Sequence, residues 1–198
     1  MEENLNELER RIWNLLVEGS NQFDHPFHHF TVSSNSTQGV RLRTVVLRKT
    51  LVSDKRLIFF TDNRSRKWKD WIINPKMSGL FYDPITKLQV VLEGMGILHL
   101  NGSLRDEFWK KMKGASRKSY MTEYKPGTIA FEKTTGLRPE FEKKEIRIAD
   151  SEAYKQNFGL IEFQIQSLEI LELGEAGNSR ALIQYQSDCT FKGHWLIP

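Results

Sequence analysis

Leu5, Leu8, Ile12, Leu15 and Leu16 recur every three or four positions, which predicts an amphipathic helix over residues 3–18 with Gly19 as its terminator. Residues 21–37, with Pro26 and a Ser/Asn cluster, read as a loop. At Val40 the period changes. Val40 to Arg48 is β-branched and partly alternating, and Leu57 to Thr61 is a short apolar run, so the two read as a hairpin candidate across a polar turn. A short helix is expected after Asn63, because Trp68, Trp71 and Ile72 share a face and Pro75 ends it. Ser78 to Tyr82 and Leu88 to Leu98 form a second strand pair around Asp83-Pro84, where Gly94 and Gly96 mark a bulge or a close backbone approach. Ser103 to Asp106 resembles a capping box for a helix carrying Phe108, Trp109 and Met112. A polar excursion with room for one short helix runs from Gly114 to Ile148, and Asp150 is placed to cap a helix that includes Ala153 and Tyr154. Strand-like alternation returns in 160–173, 180–186 and 191–197.

Six or more strands with interspersed helices and no regular βαβ alternation predict a mainly β fold, an antiparallel barrel or sheet with helices outside it. No repeat or linker divides the 198 residues, so one domain over 1–198 is expected. The first thirty residues lack the basic stretch and apolar run of a secretory signal, and no apolar run reaches membrane-spanning length. The lone Cys189 has no internal partner, which fits a cytoplasmic setting.

Charge changes the picture only when its position is considered. Residues 41–69 hold ten basic and two acidic side chains, +8, while the other 169 residues hold 19 basic and 23 acidic, −4, within a total of +4. A mildly acidic protein with one basic block suits a compact anion and would repel a nucleic-acid duplex.

Two segments carry the chemistry, Arg43-Thr44-Val45-Val46-Leu47-Arg48 and Phe60-Thr61-Asp62-Asn63-Arg64-Ser65-Arg66-Lys67. Period two places Arg43, Val45 and Leu47 on one face of the first and Thr44, Val46 and Arg48 on the other. The second runs from strand through turn to helix start, where unpaired N–H groups, Ser65, Arg66 and Lys67 would receive a phosphate. The alternative is that these charges only solvate an edge strand and a turn.

Both segments resemble the flavin-binding signature of the pyridoxamine 5'-phosphate oxidase family, the FMN-binding split barrels. The likeness extends to His25-Pro26-Phe27, to Phe81-Tyr82-Asp83-Pro84 with Lys87-Leu88-Gln89, to Trp109 followed by Pro126-Gly127, and to Trp195-Leu196-Ile197-Pro198. The resemblance implies a split β-barrel with flanking helices that binds FMN at the interface of a homodimer, each site drawing on both protomers. By motif position, Arg43 to Arg48 would line the flavin, Phe60 and Thr61 would contact it, and Ser65, Arg66 and Lys67 would hold its phosphate. Gln89 would hydrogen-bond the polar edge of the isoalloxazine, and Arg180 would add a C-terminal contact.

This chain also departs from the vitamin-B6 oxidases. Arg48 stands where they carry lysine, a planar fork in place of a point charge. Lys113, Ser116, Arg117 and Tyr120 replace their spaced Tyr, Arg and Ser phosphate clamp, and the C-terminal Arg-Leu-His run is missing. FMN binding is therefore expected independently of the substrate, a small molecule that Arg48, Arg117 and Tyr120 would contact. The resemblance implies an oxidoreductase with hydride transfer to flavin N5. An NAD(P)H-dependent flavin reductase and a non-catalytic flavin- or haem-binding module are the alternatives. His25, His28 and His29 have no accompanying ligand set at metal spacing, so no metal is expected.

Overall fold

The computed structural model describes residues 4–175 and 177–198. Helix α1 spans Leu5–Asn21; the Asn4 side chain accepts from the N–H groups of Asn6 and Glu7, and Glu7 returns a bond to the Asn4 N–H, a complete capping box. Position 3, within the expected helix, lies outside the described residues. At its other end the helix continues through Gly19 instead of stopping there. A Cβ on Gly19 would stand 2.5 Å from the Phe27 carbonyl oxygen, so the glycine admits the returning chain rather than ending the helix. His28 bonds the same place, with Nδ1 2.8 Å from the Gly19 carbonyl, and His25 accepts from the Phe27 N–H, so these two histidines brace the turn.

Nine strands follow: β1 His29–Ser36, β2 Gly39–Val46, β3 Lys49–Leu51, β4 Arg56–Asp62, β5 Lys76–Asp83, β6 Leu88–His99, β7 Phe158–Gly174, β8 Gly177–Tyr185 and β9 Phe191–Leu196. They pair in the order β2-β1-β5-β6-β7-β4-β3, with β8 branching from β7 and β9 from β8, so the pairing path stays open at β2 and β3. The fold is thus mainly antiparallel β with flanking helices, as expected, but the first hairpin is not the one expected. β2 pairs with β1, a strand in the segment that reads as a loop, and the short β3 takes up β4. Polar side chains conceal β1: the Ser33 hydroxyl accepts from the Ser78 N–H and the Ser34 hydroxyl accepts from Arg43, so its serines serve the sheet rather than water. Gly94 marks a close approach, since a Cβ there would stand 1.9 Å from the Gln164 carbonyl oxygen.

By internal contacts the chain forms two units. The first comprises Met1–Phe59, Asn74–Ile97 and Glu162–Pro198. Its core holds Trp13, Phe30, Phe59, Phe81 and Phe163. Phe30 stacks on Phe81 at 4.6 Å between ring centroids. Each fully buried ring of this size contributes roughly 1.5–3 kcal/mol of transfer free energy. A polar fastening lies beside the core. Lys55 pairs with Glu9 at 2.8 Å and sits about equally over the Trp13 and Tyr185 rings, while Trp13 Nε1 donates to the Tyr185 hydroxyl, which donates to Glu9.

The second unit comprises Phe60–Ile73 and Leu98–Ile161, and buries Trp68, Trp71, Trp109, Tyr120 and Phe158. Its helices are α2 Arg66–Ile73, α3 Ser103–Lys111, α4 Gly114–Arg117, α5 Pro139–Glu142 and α6 Ile148–Ser151. Two expected caps are different. Gly102, at φ 98°, rather than a Ser103 box, precedes α3. Asp150 lies within α6, where bonding to Arg147 holds its carboxyl down near 2. No helix among the described residues is long and apolar enough to cross a membrane.

Candidate functional site

In the second unit, the turn from β4 into α2 is built around Asp62. Its carboxylate accepts from the Arg64 N–H at 2.8 Å and from the Arg64 guanidinium at 2.7 Å, and its carbonyl accepts from the Ser65 N–H. This asparagine-like turn sets Ser65 immediately before the first residue of α2. Ser65 and Thr61 are both 4% exposed, with their hydroxyl oxygens 3.5 Å apart. The first N–H groups of α2 have no partner inside the helix and form its positive end. Arg66 is exposed and makes no ion pair or side-chain hydrogen bond among the described residues, and Lys67 is half-buried on the same turn. A hydroxyl, backbone donors, a helix start and two cations form a donor set suited to a phosphate dianion.

The basic block is less concentrated than the sequence suggests. Lys55 pairs with Glu9, Arg56 with Glu162 and Arg64 with Asp62, so at least three of its ten cations are neutralised among the described residues. Arg66 remains available to an incoming anion.

In the first unit, the alternation of Arg43 to Arg48 is as expected, but its consequence differs. Val45 and Leu47 are buried, and the Leu47 N–H donates to the His28 carbonyl, so neither side chain can line a ligand. Arg43 donates twice to the Ser34 hydroxyl, at 2.8 and 2.9 Å. Thr44 and Arg48 are exposed and Val46 half-exposed. Thr44, Thr31, Leu80 and Val91 form one row across β2, β1, β5 and β6, and Gln89 faces the same way opposite Tyr82. That outer surface is apolar over much of its area, with Val40, Leu42 and Tyr82 65%, 68% and 47% exposed.

Four further expected contacts have other employment. Arg117 is 1% exposed; its Nε donates to the Met112 carbonyl, Nη2 to the Trp109 carbonyl and Nη1 to Ser151 and Glu152, while its guanidinium lies 4.4 Å from the Trp109 ring centre. It is a structural fastening, not a substrate contact. Tyr120 is buried with its ring edge-on to Trp109 and Phe158, and Phe60 packs against Phe108 and Phe158. Arg180 bonds Glu169 across β7 and β8 at 2.6 Å, so a ligand would have to share that cation. The sequence reading missed Asp62 and Arg64 as builders of the phosphate turn. Their spacing of two, an acidic side chain reaching its own following N–H, was the available signal.

Comparison with known proteins follows this geometry. Residues 11–99 match the family model described as pyridoxamine 5'-phosphate oxidase, FMN-binding domain. Over this segment the chain is similar to the FMN-binding domain of the pyridoxamine 5'-phosphate oxidase family. The match contains β1 to β6 and the turn before α2, and stops before α3. Among solved structures, a pyridoxamine 5'-phosphate oxidase-related, FMN binding protein from Nostoc punctiforme is similar over 100% of both chains at 20% identity, with a TM-score of 0.77. PhzG from Burkholderia lata, solved with tetrahydrophenazine-1-carboxylic acid, is similar over 96% of this chain and 90% of its own at 15% identity and a TM-score of 0.68. A protein related to general stress protein 26 from Clostridium acetobutylicum is similar over 85% and 94% at 14% identity and a TM-score of 0.51. These likenesses show the split-barrel fold. No curated protein matches the sequence.

Proposed function

We propose that the protein is a homodimeric, cytoplasmic FMN flavoprotein that oxidises a small substrate. The observation that carries this reading is the turn from Thr61 to Lys67, where a buried hydroxyl and an exposed, unpaired arginine meet the start of a helix inside the segment matching an FMN-binding family. The residues present fit the cofactor. Ser65, Arg66 and Lys67 would hold its phosphate, with Thr61 supporting Ser65. The exposed Thr44 and Arg48 and the half-exposed Gln89 would meet its polar ring edge, while Arg43, Val45, Val46, Leu47 and Phe60 would shape the surroundings through backbone and packing. Bound FMN supplies a two-electron acceptor, its N5 taking a hydride. The protein's part is to bind, orient and exclude water, and no side chain is assigned as a general base.

The apolar outer face of β1, β2, β5 and β6 supports the dimer. A second copy laid on Val40, Leu42 and Tyr82 would remove that surface from water, at about 25 cal/mol for each Å² of apolar area. The test is anaerobic reduction of the FMN-loaded protein with pyridoxamine 5'-phosphate, NADH and NADPH separately. Bleaching by pyridoxamine 5'-phosphate alone supports the oxidase, and bleaching by a nicotinamide alone replaces it with a reductase. Retained FMN with no reduction by any donor replaces it with a binding module.

A further inference from the structure

Residues 122–137 of the second unit close on themselves as a compact loop. The Glu123 N–H donates to the Gly136 carbonyl at 2.8 Å, joining the two ends, and the Thr128 and Leu137 N–H groups are satisfied by Lys125 and Thr135 within it. The loop lines a half-open surface pocket of about 540 Å³, within the roughly 300–1,000 Å³ usual for small-molecule sites. It lies beyond residues 11–99, the segment that the family model matches.

The lining has a definite chemistry. Pro126, Ile129, Ala130 and Leu137 supply apolar surface, and Ile129 is 88% exposed. Lys125 has no ion pair among the described residues. Thr134 accepts from the Gly136 N–H, which leaves its hydroxyl proton to give. Arg66 lies alongside, its Nε 4.0 Å from where a Cβ on Gly127 would stand. One carboxylate, that of the exposed Glu123, stands in the lining against these two cations. The loop is mounted on the phosphate turn: the Arg64 guanidinium that holds Asp62 also donates to the Thr122 carbonyl at 3.0 Å and hydroxyl at 2.9 Å.

We propose that this loop is the substrate site and that it takes a small amphipathic carboxylate, its ring covering Ile129 and Leu137 and its anion held by Lys125 and Thr134. The assignment of this ligand as substrate rests on the flavin reading; the binding itself does not. The probes are 2-naphthoate and its neutral analogue 2-naphthalenemethanol, titrated by calorimetry into the FMN-loaded protein and into Lys125→Ala and Thr134→Val, with FMN affinity and melting temperature recorded for each. Saturable 2-naphthoate binding is expected, at least about tenfold tighter than the alcohol, and weakened about tenfold by Lys125→Ala with FMN affinity unchanged. Absence of 2-naphthoate binding by the wild type, or equal binding by Lys125→Ala, overturns the proposal. Lys125-dependent binding of 2-naphthoate by a protein that fails to bind FMN confirms the loop site and overturns the flavin reading alone.

Discussion

Arg117→Met separates a structural arginine from a substrate contact. The side chain is 1% exposed and donates to two carbonyls buried with it, those of Trp109 and Met112. Methionine keeps most of the volume and a favourable contact with the Trp109 ring but removes every donor. Each buried carbonyl left without its donor costs about 1–3 kcal/mol. The bond to Glu152 adds little, because that carboxylate is 52% exposed and regains water. The expected loss is about 2–6 kcal/mol, which for a chain of this size lowers Tm by about 4–24 °C. Scanning calorimetry measures this, with KM for the best donor taken well below the variant's Tm. A Tm within about 2 °C of wild type together with a raised KM would refute the structural assignment.

Three other outcomes follow from the same structure. Arg66→Ala and Lys67→Ala should each weaken FMN binding by about 1–3 kcal/mol, or 5- to 150-fold, read by quenching of flavin fluorescence; unchanged affinity in both removes the phosphate assignment. Gly19→Ala should destabilise by about 1–3 kcal/mol in urea titration despite alanine's better helix propensity, because the new Cβ meets backbone at 2.5 Å; a stabilised variant contradicts the close approach. Burial, reinforced by the Glu9 carboxylate and opposed by the Trp13 N–H, raises the Tyr185 pKa above the usual tyrosine range. Tyr185 is then neutral in both states below about pH 10, and its contribution is fully present there; as pH rises further the unfolded chain ionises first and that contribution is lost. The stability difference between wild type and Tyr185→Phe should therefore shrink above about pH 10, and a difference independent of pH would count against this.

The parts of the fold legible in sequence are those where burial and period agree. α1, the β5–β6 pair around Asp83-Pro84 and the two tryptophans of α2 follow from their apolar spacing. β1 was hidden because only Phe30 and Val32 of its buried positions are apolar; the other two, Ser33 and Ser34, have hydroxyls that bond neighbouring strands in place of packing. Gly19 carries two meanings in sequence, a stop or a close approach, and only the position of Phe27 decides between them. At the candidate site, residue type was readable and its use was not. Arg43, Arg66, Arg117 and Arg180 are alike in sequence, yet one braces Ser34, one is unpaired at a helix start, one is buried against carbonyls and one is matched by Glu169. What separates them is long-range pairing, which spacing along the chain does not encode.

The central claim is that the Thr61 to Lys67 turn holds the phosphate of FMN. Titration of purified protein with FMN and with riboflavin, which lacks the phosphate, tests it most directly. The structure predicts saturable FMN binding, with riboflavin at least about tenfold weaker and the difference reduced in Arg66→Ala. A protein that stays colourless with FMN, or that binds FMN and riboflavin equally, would contradict it.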